Sequence, residues 1–237
     1  MRGAAHGAAR PCWRWRGGRG SLDGNREPGS AMAMNTDPTA RTLAIGPVAV
    51  VPSPARADLP IVVAVMGLPG AGKSVVARAL EDQLLLRRIC RDTIRAAMFP
   101  RCDDSFIEKR AAWRSVLLAL EINCMLGVGS VIDGATFSRR SELERVAAIG
   151  AAHRIVTIPL FVDCPPEVAR ERVARDLAAN RHAARDRTPD LVNDVLARRD
   201  PPPAEALRVD GSLPAAQLCR AAVAAIRDSI AAATAGV

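Results

Sequence analysis

Between Ile61 and Leu80 the chain reads IVVAVMGLPGAGKSVVARAL, and no other stretch limits the fold as much. The six residues Ile61–Met66 are apolar on both faces of an extended chain, and most are β-branched. They are too few for a helix and read as a strand buried on both sides. Such a strand needs other elements covering each face. Directly after it come Gly67, Leu68, Pro69, Gly70, Ala71, Gly72, Lys73 and Ser74, the spacing G-x-x-x-x-G-K-S, and then an apolar helical period. The glycines let backbone N–H groups turn inward without a Cβ in the way. The helix that starts near Gly72 aims its N-terminal dipole at the same point. The pattern predicts a triphosphate cradle, with Lys73 reaching the β- and γ-phosphates of ATP and the Ser74 hydroxyl on Mg²⁺.

The rest of the chain supplies the covering layers. Short second, third and fifth strands are expected around Ile89, over Ser130–Gly134 and over Ala206–Gly211, and a fourth over Arg154–Asp163. Helices are expected over Ser74–Leu86, 104–126, Ser138–Ile149, 165–182, 188–199 and 213–232. Alternating strands and helices predict a three-layer α/β domain: a five-stranded parallel sheet with helices on both faces, over residues 58–237.

Charge narrows the partners. The net charge is +8, and residues 1–57 hold eight arginines against three acids. The basicity therefore sits mostly in this Gly-, Ala-, Arg- and Pro-rich extension, which is expected to be disordered. The only lysines are Lys73 and Lys109. The six cysteines (Cys12, Cys90, Cys102, Cys124, Cys164 and Cys219) form no C-x-x-C pair, so reduced thiols in a cytoplasmic protein are expected rather than a zinc site or disulfides. No run of apolar residues approaches the length of a membrane span.

Two carboxylates stand where open parallel sheets place ligands. Asp92, in CRDTIR, follows the second strand and can take a proton from an attacking hydroxyl. Arg95 lies one helical turn further on and can hold an anionic group of the acceptor. Spacing alone leaves open a capping aspartate beside a surface arginine. Asp133, in VIDGATF, ends the third strand and suits a magnesium- or water-holding role, with Thr136 close enough to touch metal or acceptor. A turn aspartate before a glycine is the alternative.

The ordered set GLPGAGKS, RDTIR, VIDGATF and CPPEVARERVARD resembles the P-loop kinase family across roughly residues 60–230. It looks most like the predicted-kinase branch labelled AAA-type ATP-binding proteins, related to the kinase domain of bacteriophage polynucleotide kinase. Zeta toxins and chloramphenicol phosphotransferase are more distant relatives. The resemblance implies the P-loop NTPase fold, with Lys73 and Ser74 on phosphate and Mg²⁺, and Asp92 as the base that activates the acceptor. It implies Arg95 on an acceptor phosphate and Asp133 in a Walker B-like place. It also implies an arginine-rich helical lid over about residues 165–200. Arg172 and Arg175 are the candidates for neutralising the transferred phosphoryl group, and Arg181, Arg185 and Arg187 share that region. In one departure, Gly134 separates Asp133 from the Ala-Thr pair that usually follows directly.

These residues predict an ATP-dependent kinase acting on an alcohol group. With aromatics at 3% and no tyrosine, there is little to stack bases on. A small-molecule hydroxyl is therefore expected as acceptor ahead of a nucleotide or polynucleotide end. Two other classes fit parts of the sequence: an ATP-binding regulatory module or ATPase without an acceptor, and a nucleic-acid binder acting through the basic extension.

Overall fold

The β1 strand, Ile61–Met66, is the middle strand of the sheet, and all six of its residues are buried. The computed structural model describes residues 60–101, 105–179 and 187–235; the extension expected over residues 1–57 lies outside them. Among the described residues the elements run β1, α1 (Lys73–Leu84), β2 (Arg87–Cys90), α2 (Arg91–Met98), α3 (Phe106–Met125), β3 (Ser130–Asp133) and α4 (Arg140–Ala152). They continue with β4 (Val156–Asp163), α5 (Pro166–Ala178), α6 (Pro189–Arg198), β5 (Leu207–Asp210) and α7 (Ala215–Ala235). The sheet order is β2-β3-β1-β4-β5, and every neighbouring pair is parallel.

Strand alternation sorts the core into two halves. Ile61, Val63 and Val65 point into one, packed with Val76 and Leu80 of α1, Val173 of α5, Val195 of α6, and Leu218 and Ile226 of α7. Val62, Ala64 and Met66 point into the other, against Val116 and Leu120 of α3 and Leu143 and Val146 of α4. Three layers follow from one strand having no polar face.

Several boundaries differ from expectation. Residues 91–98 form a helix of their own, too short for a period to show in sequence. Strand β4 begins at Val156 because Arg154 takes a left-handed turn, φ +58°. The lid region forms α5 and α6, each with a proline in its first turn. Ala169, Val173, Val192 and Val195 of these helices are fully buried, so both are built into one core face. Arg181 and Arg185 lie outside the described residues. The described cysteines, Cys90, Cys124, Cys164 and Cys219, are free thiols, and no helix among the described residues is long and apolar enough to cross a membrane.

The two-sided core makes a contrast on one helix. Leu120 is wholly buried on α3, while Ile122 is 47% exposed. Leu120→Ala should lower unfolding free energy by about 2–5 kcal/mol. Ile122→Ala should change it by under about 0.5 kcal/mol. Guanidinium unfolding of the two variants checks the assignment.

Candidate functional site

All five strands are parallel, so their carboxyl ends lie at one edge of the sheet, where ligands bind in such folds. From β1 the chain enters the glycine loop. Gly67 has φ +135°, and a Cβ there would lie 2.6 Å from the Val162 carbonyl oxygen. Gly70 has φ +82°, and a Cβ there would overlap the Ala169 carbonyl of α5. Neither position admits a side chain. Helix α1 then starts at Gly72 with no side-chain cap and no acid in its first turn. Its first N–H groups are left to an external anion.

Lys73 turns back over this loop. Its Nζ donates to the carbonyl oxygens of Gly67 at 3.0 Å and Leu68 at 2.7 Å. Burial pushes its pKa down from 10.5 to about 7, and the nearby Arg187 guanidinium pushes the same way. Asp133 and Asp92 oppose the shift more weakly than burial drives it.

Ser74 Oγ donates to Asp133 Oδ1 at 2.8 Å, and the Gly134 N–H donates to the same oxygen at 2.7 Å. The other oxygen, Oδ2, accepts from Arg88 at 3.2 Å. Arg88 in turn donates through Nε to Glu81 at 2.7 Å. The Asp133 side chain is almost wholly buried, so these partners replace its water. Hydroxyl and carboxylate beside a phosphate cradle suit Mg²⁺, which keeps waters and draws its remaining ligands from phosphate oxygens. Sequence reasoning missed Arg88 and Glu81, because only the β2–β3 pairing and the α1 packing bring them together.

Asp92 and Arg95 fall in the first two turns of α2. Arg91 Nη2 lies 3.6 Å from Asp92 Oδ1, and Arg95 is buried. The Gly134 departure has a geometric reason here. With φ +76° it lies against the N-terminus of α2, where a Cβ would come within 3.3 Å of the Asp92 carboxylate and backbone nitrogen. Thr136 binds the loop through its backbone, its carbonyl accepting from the Gly67 N–H at 3.3 Å.

One cleft of about 720 Å³ gathers these groups. Lys73, Ser74, Asp92, Arg95, Thr136, Arg172 and Arg175 all line it, and Asp133 is buried and bonded to Ser74. Arg91, Lys109 and Arg187 line it too. Lys109 carried a signal in the sequence: it is the only lysine besides Lys73. The lid arginines differ in use. Arg172 is held by loop carbonyls, donating to Gly211 at 2.6 Å and Ser212 at 3.2 Å. Arg187 lies 3.7 Å from Asp176 and close enough to Lys73 to depress its pKa. Leu191, Val195, Leu213, Pro214 and Leu218 form an apolar wall between α6 and the start of α7.

The buried lysine makes anion binding proton-linked. With a pKa near 7, Lys73 is mostly neutral at pH 8, and a phosphate beside it favours the cation. Nucleotide affinity should therefore fall as pH rises above 7, by up to about tenfold per pH unit, and binding at pH 8 should take up close to one proton. Calorimetry in two buffers of different ionisation enthalpy reads that uptake, and Lys73→Met should abolish it.

Comparison with known proteins agrees with this architecture. A family model described as an AAA domain, AAA_33, matches residues 62–202. No curated protein matches the chain. Among solved structures, a Chloroflexus aurantiacus protein described as a candidate kinase superposes with a TM-score of 0.61 at 20% identity, covering 73% of this chain and 97% of that one. A gluconokinase from Sinorhizobium meliloti superposes at 0.54 and 18%, covering 73% and 94%. The Mycobacterium tuberculosis APS kinase CysC, in complex with AMPPNP and APS, superposes at 0.54 and 17%, covering 71% and 98%. The fold is that of P-loop kinases, and by the family match across most of its described length the chain belongs to the AAA domain family AAA_33.

Proposed function

We propose that this chain is an ATP-dependent kinase that transfers the γ-phosphoryl group to a hydroxyl of a small molecule. One observation carries the reading: the glycine loop with Lys73, the Ser74–Asp133 pair and the Asp92 carboxylate share a single cleft. A nucleotide switch needs the first two and has no use for the third.

ATP would lie with its phosphates on the loop and its base against the apolar wall of Leu191, Leu213 and Leu218. Ser74 and Asp133 would hold Mg²⁺, which supplies charge neutralisation on the phosphates. Asp92 would accept the proton of the acceptor hydroxyl as its oxygen bonds to the γ-phosphorus and the bond to the β–γ bridging oxygen breaks. Lys73 would follow the γ-phosphate, with Arg187 and Arg175 neutralising charge as it moves. Arg172 would act one step back, by holding the β5–α7 loop in place.

Transfer of labelled γ-phosphate to a panel of acceptors tests the reading. The panel holds sugar acids, phosphorylated and neutral sugars, nucleosides and 5′-hydroxyl oligonucleotides. Asp92→Asn should lower transfer by about 10²–10⁴-fold with ATP affinity within about twofold of wild type. Lys73→Ala should lose both. ATP binding with no transfer to any acceptor, and hydrolysis indifferent to Asp92→Asn, would give the site to a regulatory module or ATPase instead.

A further inference from the structure

Four side chains join into a closed ring below the phosphate loop. Ser74 of α1 meets Asp133 of β3, Asp133 meets Arg88 of β2, and Arg88 returns to Glu81 of α1. Ser74 and Glu81 are two turns apart on one helix, so the ring ties α1 to β2 and β3 at both ends.

We propose that Arg88 is a positioning residue for Mg²⁺: it fixes the rotation of the Asp133 carboxylate so that Oδ1 faces the metal. The inference rests on the kinase reading above. Three features support it. First, the two oxygens of Asp133 are used separately. Arg88 takes Oδ2, while Oδ1 faces Ser74 and the Gly134 N–H, so a cation on Oδ1 and the Ser74 hydroxyl leaves Arg88 where it is. Second, Arg88 is already neutralised. Its bond to Glu81, at 2.7 Å, is shorter than its bond to Asp133, at 3.2 Å. The pair thus orients Asp133 without placing a net positive charge beside a divalent cation. Third, the Asp133 side chain is 2% exposed, so solvent would not hold the carboxylate if the guanidinium were removed. Groups that bond to a metal ligand from behind commonly set metal affinity as strongly as the ligand's own placement.

The alternative is that Arg88 stands in for the absent cation and gives way when metal arrives. The two roles predict opposite signs. A positioning Arg88 makes metal binding tighter, whereas a stand-in makes it weaker.

The test is calorimetric titration of a non-hydrolysable ATP analogue at a series of Mg²⁺ concentrations, on wild type, Arg88→Met and Glu81→Gln. In wild type, Mg²⁺ should strengthen nucleotide binding. In Arg88→Met, affinity without Mg²⁺ should stay within about twofold, and the Mg²⁺ concentration for half-maximal effect should rise about 10–100-fold. Glu81→Gln keeps an acceptor for Arg88 but exposes its charge to the metal, and it should raise that concentration a few-fold. Glu81 is also the fallback if Arg88→Met does not fold. An unchanged or lowered half-saturation in Arg88→Met would overturn the proposal. So would an equal loss of affinity with and without Mg²⁺, since that would place Arg88's effect on the loop. If wild type binds the analogue with no response to Mg²⁺, the kinase reading falls, and the inference with it.

Discussion

A positive charge without water is the constraint around which this site is arranged. Lys73 sits inside the turn it belongs to, and the turn gives it two carbonyl dipoles. Ionised side chains in such places either find an opposite charge or give up their own. The surrounding residues keep the nearest carboxylates engaged elsewhere: Asp133 accepts from Ser74, Gly134 and Arg88, and Asp92 lies beside Arg91. The uncapped start of α1 points its first N–H groups at the same place, a surrounding that suits an anion.

The cations around the cleft differ in their partners. Arg172 points at loop carbonyls and Arg88 at two carboxylates; both shape the site from behind. Arg187 faces Lys73, and Arg175 lines the cleft. The arginine-rich composition of the lid hides this division, since guanidinium groups at neighbouring helix positions serve different partners.

The strand and loop from Ile61 to Ser74 were legible in the sequence because their signals are local. Apolar residues on both faces predict burial on both faces, and glycine spacing reports directly on φ. The same holds for the position of Asp133, at the end of a strand that its own apolar lead-in announces. Arg88 was not legible. Its neighbours in sequence say only that β2 is an edge strand with a charged residue, and its role depends on Glu81 and Asp133, 7 and 45 positions away. Helix α2 was missed for another reason: eight residues give barely two turns of period. That Arg172 bonds to the β5–α7 loop is something neither arginine's neighbourhood in sequence encodes. Gly134 looked like a departure from a motif and proved to be clearance for Asp92.

The contact between Gly70 and the Ala169 carbonyl has a mechanical side. Most loops touch their neighbours through side chains, which bend and absorb small displacements. Here main chain meets main chain, with no compliant layer between the phosphate cradle and α5. A shift of α5 is transmitted to the cradle almost undamped, and a ligand that presses on the cradle pushes on α5 with the same stiffness. The joint is therefore a stiff one, made of backbone on both sides.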